Sequence, residues 1–236
     1  MTKVVIFDLY DTIVKGVSFD FDKGMEYLYQ EFFTNVCTWE ELLAYSKTFL
    51  PLYEARKENN IELSFIREEL PFYFTKFGLS VPNNLEEIEF QFLTHLKDDI
   101  ILDEVRETLE TLSAQGIELY ILSNSVFMGK TASRHLETHG VLHYFKKIYS
   151  SGDYGVRKPG KAFFDVAIDE ILKQHKGLKK EDILFVGNDY IADAFGGTNA
   201  GLQTIWYNVH HQPNDKELEV WDIDDFREVI RIVLEN

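Results

Sequence analysis

The sequence predicts an α/β protein: a doubly wound parallel sheet with an inserted all-helical domain. Val4–Phe7 is a run of four apolar residues, typical of a parallel strand that is buried on both faces. After about residue 98, short apolar runs alternate with segments of helical period, which indicates strand–helix units. Between residues 16 and 95, aromatic residues and leucines recur at helical spacing, and we find no strand pattern there. The first strand therefore belongs to the same sheet as the strands after residue 98, and the helical block is an insertion between them.

The sequence divides into two parts. Residues 1–15 and 96–236 form the sheet-containing core, and residues 16–95 form the insertion. Four stretches carry the helical pattern: MEYLYQEFF, TWEELLAYSKTFLPLYEA, LSFIREELPFYFTKFG and LEEIEFQFLTHL. Thr38 and Glu41 have the spacing of a capping box, which predicts a helix start. Pro71 should kink or begin a helix, because it lacks the amide hydrogen that a helix interior requires.

The remainder of the core alternates regularly between the two kinds of element. We predict helices at residues 103–116, 127–140, 160–174, 191–200 and 224–236. We predict strands at residues 117–123, 147–151, 183–187 and 203–208. Each strand is short, apolar and separated from the next by a helix, which is the arrangement of a parallel sheet.

Composition excludes several classes of partner. The formal net charge is −16, so the surface repels nucleic-acid phosphates, and an anionic substrate would need a local lysine, arginine or metal. Cys37 is the single cysteine, which rules out an internal disulfide and fits a reducing compartment. No signal-peptide pattern or membrane-length apolar run is found, so we expect a cytoplasmic protein with a small-molecule substrate, either monomeric or homodimeric.

Polar residues follow the predicted strands at their carboxyl ends, where ligands bind in open parallel sheets. The candidates are Asp8, Ser123, Asn124, Lys158, Asn188, Asp189 and Asp193. Taken singly, each has an ordinary structural explanation: Asp8 and Asp189, for example, could cap the helices that follow them. Their common position at one sheet edge favours a site.

Four motifs resemble those of the haloacid dehalogenase superfamily and occur in that family's order: FDLYDT, ILSNS, RKPGKAFFDVAI and VGNDYIADAFGGTNAGL. The resemblance implies a Rossmann-like core, and it places a helical cap where residues 16–95 lie. The stretches FLPLYEA and DAFGGTNAGLQTIWYN resemble nucleotidase-like phosphatases of this superfamily.

The resemblance also implies a role for each matched residue. Asp8 would be the nucleophile, Ser123 would hydrogen-bond the transferred group together with Asn124, and Lys158 would neutralise charge. Phosphatases of the family bind Mg²⁺, and the matched ligands here are Asp8, the Tyr10 carbonyl, Asn188, Asp189 and Asp193. Oxygen ligands of this kind are those that Mg²⁺ prefers. On the cap, Arg56 could meet a substrate anion, although an exposed helix face explains it equally well.

Tyr10 departs from the phosphatase pattern, which has a second aspartate two residues after the nucleophile as acid and base. Residues i and i+2 of an extended segment face the same way, so Tyr10 should occupy that position, and Asp11 should be structural. A tyrosine is protonated near neutrality and is a poor general base. Members of the family that cleave carbon–halogen bonds without metal carry tyrosine here.

Three functions therefore stay open. The first choice is a Mg²⁺-dependent phosphatase acting through an aspartyl-enzyme intermediate on a small phosphorylated metabolite, with a nucleotide as one candidate. The first alternative is a metal-independent 2-haloacid dehalogenase. The second is a binding or regulatory protein that keeps the fold without catalysis. The acidic fourth motif and the cap favour the phosphatase, whereas Tyr10 favours the dehalogenase.

Overall fold

The computed structural model describes residues 2–235, which contain eight strands and eleven α-helices. The strands are β1 Val4–Phe7, β2 Lys15–Phe19, β3 Lys97–Ile100, β4 Glu118–Ser123, β5 Phe145–Ser150, β6 Ile183–Gly187, β7 Gln203–Tyr207 and β8 Trp221–Ile223. The inserted helices are α1 Phe21–Leu28, α2 Trp39–Ser46, α3 Leu50–Glu58, α4 Leu70–Lys76 and α5 Leu85–Leu96. The later helices are α6 Asp103–Ala114, α7 Gly129–Thr138, α8 Ser151–Tyr154, α9 Lys161–Gln174, α10 Gly196–Asn199 and α11 Glu228–Glu235. Wider π-type turns occur at Tyr29–Phe33, Phe65–Glu69 and Tyr190–Phe195.

Six strands form one parallel sheet in the order β5-β4-β1-β6-β7-β8. Strand β1 lies in the middle, pairing Val4 with Glu118 of β4 on one side and with Ile183 of β6 on the other. The chain runs outward in one direction through β4 and β5 and in the other through β6, β7 and β8. The carboxyl end of β1 is therefore the point where the winding reverses, which is where ligands bind in sheets of this kind.

Helices cover both faces of this sheet, as buried parallel strands require. All four residues of β1 are buried; Val5 and Phe7 belong to the core beneath α6, α7 and α11, while Val4 and Ile6 belong to the core beneath α9. The alternation follows from the two-residue period of a strand. Within residues 2–235, no helix is both long and apolar enough to cross a bilayer.

Most of the elements predicted for the core are confirmed with small shifts of their ends, with the exception of one helix. The strand predicted at 183–187 is found at Ile183–Gly187, and the strand predicted at 203–208 ends one residue earlier, at Tyr207. The helix predicted at 191–200 is instead a wide turn, Tyr190–Phe195, followed by the short helix α10. Strand β8 was not predicted, because three residues with one buried side chain leave no recognisable pattern.

The expectation that residues 16–95 contain no strand is wrong at their beginning. Strand β2 pairs antiparallel with β3, with Lys15 opposite Ile100 and Phe19 opposite Lys97. The two segments that enter and leave the inserted helices thus run side by side. We propose that the boundaries between the core and the helical cap lie in these two strands. Helices α1–α5 are called the cap below.

The cap has an apolar core of its own, built largely of aromatic rings. Phe33 packs on Phe74, and Phe65 stacks on Phe92, with centroid separations of 5.2 and 4.5 Å. The predicted capping box of Thr38 and Glu41 is present at the start of α2, and Pro71 lies in the first turn of α4. The cap core includes Phe127 of the sheet-containing core, so apolar packing joins the two parts.

Glu89 makes a buried polar contact between the cap and the sheet-containing core. It lies on α5, is fully buried, and accepts hydrogen bonds from the Met128 amide, at 3.1 Å, and from the Thr131 hydroxyl. Met128 directly precedes α7 and Thr131 lies in its first turn, at the end of a helix where backbone amides lack internal partners. Burial raises the pKa of Glu89 from 4.5 to about 7, against the effect of these two donors.

Glu89 should make the stability of the protein fall with rising pH. The pKa of Glu89 is higher in the folded than in the unfolded chain. Its contribution to the free energy of unfolding is therefore fully present below about pH 4.5 and is lost as pH rises through about 7. Glu89→Gln should therefore be close to wild type at pH 4.5 and more stable at pH 8, by about 3 kcal/mol at most. Urea unfolding at the two pH values measures the difference. Glu86→Gln, on the exposed side of the same helix, is the control, and an equal pH response in both variants would contradict the assignment.

Candidate active site

Asp8, Lys158 and Asp193 form a buried ionic cluster beyond the carboxyl end of β1. The Lys158 Nζ donates to Asp8 Oδ1 and to Asp193 Oδ1, each at 2.6 Å. The three residues come from the loop after β1, the turn that precedes α9, and the turn that follows β6. Their exposed fractions are 7, 2 and 1% respectively, so the cluster lies almost entirely out of water.

The cluster contains two carboxylates and one ammonium group. Burial alone would lower the pKa of Lys158, but Asp193 and Asp8 outweigh it and the net shift is upward, so the lysine stays protonated. Burial raises the pKa of Asp193 to about 7, with a further increase from Asp8 and an opposing decrease from Lys158. The two carboxylates together carry one more charge than the ammonium group neutralises, and a bound cation or a proton would balance this excess.

Thr12 and Asn188 border the second oxygen of Asp8. The Thr12 hydroxyl lies 3.2 Å from Asp8 Oδ2 and 3.0 Å from Asn188 Oδ1. Because a hydroxyl has one proton, it can donate to only one of these oxygens at a time. Lys158 is bound to Oδ1, so Oδ2 is the oxygen of Asp8 that the lysine leaves uncovered.

The carboxylate of Asp189 has a structural role that the metal assignment did not anticipate. Its Oδ1 accepts hydrogen bonds from the amides of Ile191, at 2.8 Å, and Ala192, at 2.6 Å, and so caps the turn after β6. The side chain is exposed, unlike that of Asp193. The ordinary explanation considered from sequence thus accounts for Asp189, and we withdraw its carboxylate from the predicted ligand set.

The remaining predicted ligands suit Mg²⁺. Asp8, Asp193, the Asn188 amide oxygen and the Tyr10 carbonyl offer only oxygen, and the buried cluster has negative charge in excess. Mg²⁺ prefers hard oxygen ligands and keeps several waters, so few protein ligands are needed. The residues present therefore fit this ion.

Ser123 and Asn124, at the end of β4, have different environments. The Ser123 hydroxyl is buried and has no hydrogen-bond partner among the described residues, so it is free to bind a substrate oxygen. The Asn124 side chain instead bonds the backbone of Lys158 twice, donating to its carbonyl at 2.9 Å and accepting from its amide at 2.8 Å. Asn124 was predicted to bind substrate with Ser123, but the structure engages its amide in positioning Lys158.

Tyr10 lines the cavity between core and cap as a neutral ring. The Lys97 ammonium lies 3.7 Å from the ring centroid. The phenol hydroxyl is buried beside Ser125 and has no hydrogen-bond partner within residues 2–235. Burial raises the pKa of Tyr10 above its ordinary value. The phenol is therefore protonated at neutral pH and cannot serve as a base. Asp11, as expected, is structural: it has a φ of 61° and accepts a hydrogen bond from the Gly16 amide.

A cavity of about 880 Å³ opens between the cap and the sheet edge. Its walls are mainly apolar and aromatic, with Phe65, Phe92 and Phe127 among them. Arg56 also lines the cavity, stacking on Tyr53 at 4.6 Å and forming an ion pair with Glu62, while its Nε is buried and has no partner in the described part of the chain. The predicted cap cation thus faces the cavity, with its charge partly balanced.

Two residues of this site were missed by sequence reasoning. Thr12 matched the family's threonine in the first motif but was assigned no role, although that match was a usable signal. Lys97 contacts Tyr10 from a position 87 residues later in the chain, and its segment had no pattern that could have placed it there.

Comparison with known proteins gives consistent results. The family model of haloacid dehalogenase-like hydrolases matches residues 2–201. Pyrimidine 5′-nucleotidase PynA of Streptococcus pneumoniae is 26% identical over 223 residues, which cover 92% of this chain and 88% of the relative. A 2-haloacid dehalogenase of Pseudomonas syringae has a TM-score of 0.71 at 21% identity, covering 100% of this chain and 99% of that one. The magnesium-bound hydrolase YfnB of Bacillus subtilis has a TM-score of 0.60 at 22% identity, covering 98% of both chains. At these identities the two structures establish a shared fold.

Proposed function

Because this chain belongs to the haloacid dehalogenase-like hydrolase family, we propose that it is a Mg²⁺-dependent phosphatase that acts through a covalent aspartyl phosphate on Asp8. The observation that carries the proposal is the buried cluster in which one lysine faces two carboxylates. Its excess negative charge and its oxygen ligands suit a divalent cation, which the metal-independent alternative does not need. The nearly full-length similarity to a nucleotidase supports the same choice.

Asp8, Lys158 and Ser123 have different roles in the first step of the reaction. Asp8 Oδ2 attacks phosphorus and the bond between phosphorus and the ester oxygen breaks, so that the alcohol leaves with a proton taken from water, while Lys158 holds Oδ1 and balances its charge. The Ser123 hydroxyl, which has no partner in the structure, donates to a phosphoryl oxygen. Bound Mg²⁺ would supply neutralisation of the phosphoryl charge. Attack of water on the aspartyl phosphate then releases phosphate and restores Asp8.

We propose a small phosphorylated metabolite as substrate, and a pyrimidine nucleoside monophosphate as the first candidate. The cavity size lies in the range of small-molecule sites, and its aromatic walls suit a flat heterocycle. Arg56 offers a cation on the cap side of the same cavity. We place the enzyme in the cytoplasm, where such metabolites occur and where its single cysteine would stay reduced.

A substrate panel with two metal conditions tests the proposal. Pyrimidine nucleoside monophosphates, sugar phosphates, an aryl phosphate and (S)-2-chloropropionate are each assayed with Mg²⁺ and with chelator. Release of phosphate only in the presence of Mg²⁺ supports the phosphatase. Release of chloride in chelator, without phosphatase activity, would establish the dehalogenase, which Tyr10 favours. An absence of turnover on every substrate would support the non-catalytic alternative.

Tyr10 should make the rate depend on the leaving group. Because its phenol cannot donate a proton and take it back near neutral pH, alkyl phosphates should react slowly while aryl phosphates suffer less. Tyr10→Asp should speed alkyl phosphate hydrolysis by up to about 10²–10⁴-fold, the usual range of acid–base catalysis, and aryl phosphate hydrolysis less. The measurement is kcat/KM against leaving-group pKa.

Tyr10→Phe is the matched control for that experiment. It keeps the ring that contacts Lys97 and removes a hydroxyl that has no hydrogen-bond partner among the described residues, so its slope should equal that of wild type. A flat dependence in wild type would mean that another group supplies the proton. Equal slopes for wild type and Tyr10→Asp would mean that Tyr10 only lines the cavity and has no effect on proton transfer to the leaving group.

A further inference from the structure

Three side chains of kinds that can ligate a metal converge at the base of the cap, and none of them belongs to the Asp8 cluster. Asp99 Oδ1 lies 2.9 Å from His135 Nε2 and 2.7 Å from His139 Nε2, and the two histidine nitrogens are 3.1 Å apart. Asp99 belongs to β3, whereas His135 lies in the last turn of α7 and His139 directly follows that helix. The two histidines are four residues apart and therefore project from the same side of the helix.

The geometry of this triangle is that of a facial ligand set. Ligands about 2.0–2.1 Å from a tetrahedral Zn²⁺ lie roughly 3.3 Å from one another, slightly farther apart than the three atoms here. A small rotation of the side chains would therefore admit an ion. The side chains of His135, His139 and Asp99 are 8, 19 and 4% exposed, so the set is mostly buried and opens to water on the His139 side.

We propose that Asp99, His135 and His139 bind a divalent transition-metal ion, with Zn²⁺ as the best match, and that water completes the coordination. Two imidazoles and a carboxylate suit Zn²⁺ and its neighbours, whereas Mg²⁺ prefers oxygen alone. Lys97 lies 2.9 Å from Asp99 Oδ2, which leaves Oδ1 to act as a single-oxygen ligand. The strongly negative chain favours the binding of cations in general.

The bound ion would tie the cap connection to the sheet-containing core. Strand β3 pairs with β2, and these two strands carry the chain into and out of the cap. The ligands on either side of the ion come from β3 and from the end of α7, which packs on the sheet. Lys97, two residues before Asp99, also contacts the ring of Tyr10, so the ion would hold a strand that borders the cavity. This site does not depend on the proposed phosphatase activity.

Zinc binding by the metal-free, tag-free protein tests the proposal. Isothermal titration in the presence of a competing chelator should show one Zn²⁺ per chain, and millimolar Mg²⁺ should not displace it. His139→Gln and Asp99→Asn should each weaken this binding by roughly 100-fold or more, since loss even of an outer-shell partner costs 10–100-fold. His175→Gln is the matched control, because His175 contacts Glu118 elsewhere on the core. It should bind Zn²⁺ as wild type does.

Two measurements on the unaltered chain keep the test decisive if a variant fails to fold. X-ray absorption of the zinc-loaded protein should show two imidazole nitrogens in the first coordination shell. A 100-fold excess of free Zn²⁺ over its Kd should raise the Tm by about 5–10 °C. Failure to bind one Zn²⁺ more tightly than the His135→Gln/His139→Gln double variant does would overturn the proposal. So would a coordination shell with fewer than two imidazoles.

Discussion

Asp8→Asn is expected to lower turnover of every substrate by roughly 10⁴-fold or more, the scale of loss seen when a covalent nucleophile is removed. An amide is a weak nucleophile and cannot supply the negative oxygen that the site offers beside Lys158. The fold should survive, because the change is isosteric and Lys158 keeps Asp193 as its ionic partner. Steady-state rates on the best substrate of the panel, together with thermal unfolding, measure both effects.

Asp11→Asn is the matched control for this substitution. It makes the same chemical change three residues later, at an exposed position with a φ of 61° that asparagine tolerates well. It should retain nearly all activity. If carefully purified Asp8→Asn retains turnover comparable to that of Asp11→Asn, the covalent mechanism is wrong.

Removal of divalent metal is also expected to have a large effect on activity. Phosphatase activity should fall at least about 100-fold in chelator, because loss of several kcal/mol of charge stabilisation is expected without the ion. Mg²⁺ alone, in zinc-free buffer, should restore it. Asn188→Asp should lower the Mg²⁺ concentration needed, since Asn188 Oδ1 shares the Thr12 hydroxyl with Asp8 and the change adds a negative ligand there.

Asp189→Ala distinguishes the capping role from the metal role. Loss of the two amide hydrogen bonds should cost about 1 kcal/mol of stability, with little change in the Mg²⁺ requirement. A large increase in that requirement would return Asp189 to the ligand set. Unchanged turnover of a 2-haloacid in chelator would instead reject the phosphatase proposal.

The fold could be predicted where local pattern and burial agree. Val4–Phe7 and Ile183–Gly187 are uninterrupted apolar runs, and both are buried on each face of the sheet. Strands β2 and β3 could not be found in the same way: KGVSF and KDDI contain no buried residue and lie about 80 residues apart. The two strands pair because they carry the chain into and out of the cap, and no short stretch of the sequence contains both of them.

The candidate site could likewise be predicted only in part. The positions of Asp8, Ser123 and Lys158 follow from the rule that ligands bind at the carboxyl ends of parallel strands. The orientations of individual side chains do not follow from that rule: Asn124 binds the Lys158 backbone, and Asp189 caps a turn. His135 and His139 have ligand spacing in HLETH, but Asp99 reaches them only through the unpredicted strand β3.

The pairing of β2 with β3 also makes the cap a replaceable module. Because Lys15 lies opposite Ile100, the two ends of the insertion start from neighbouring points, and the loop-closure entropy of the core depends only weakly on what is inserted between them. The loop that carries Asp8 lies outside the cap, so changes in the cap helices that keep the contacts with the core through Glu89 and Phe127 need not displace that loop. Substrate preference and bond-breaking chemistry can then change at different rates during evolution, and a designer could graft a foreign cap at these two strands.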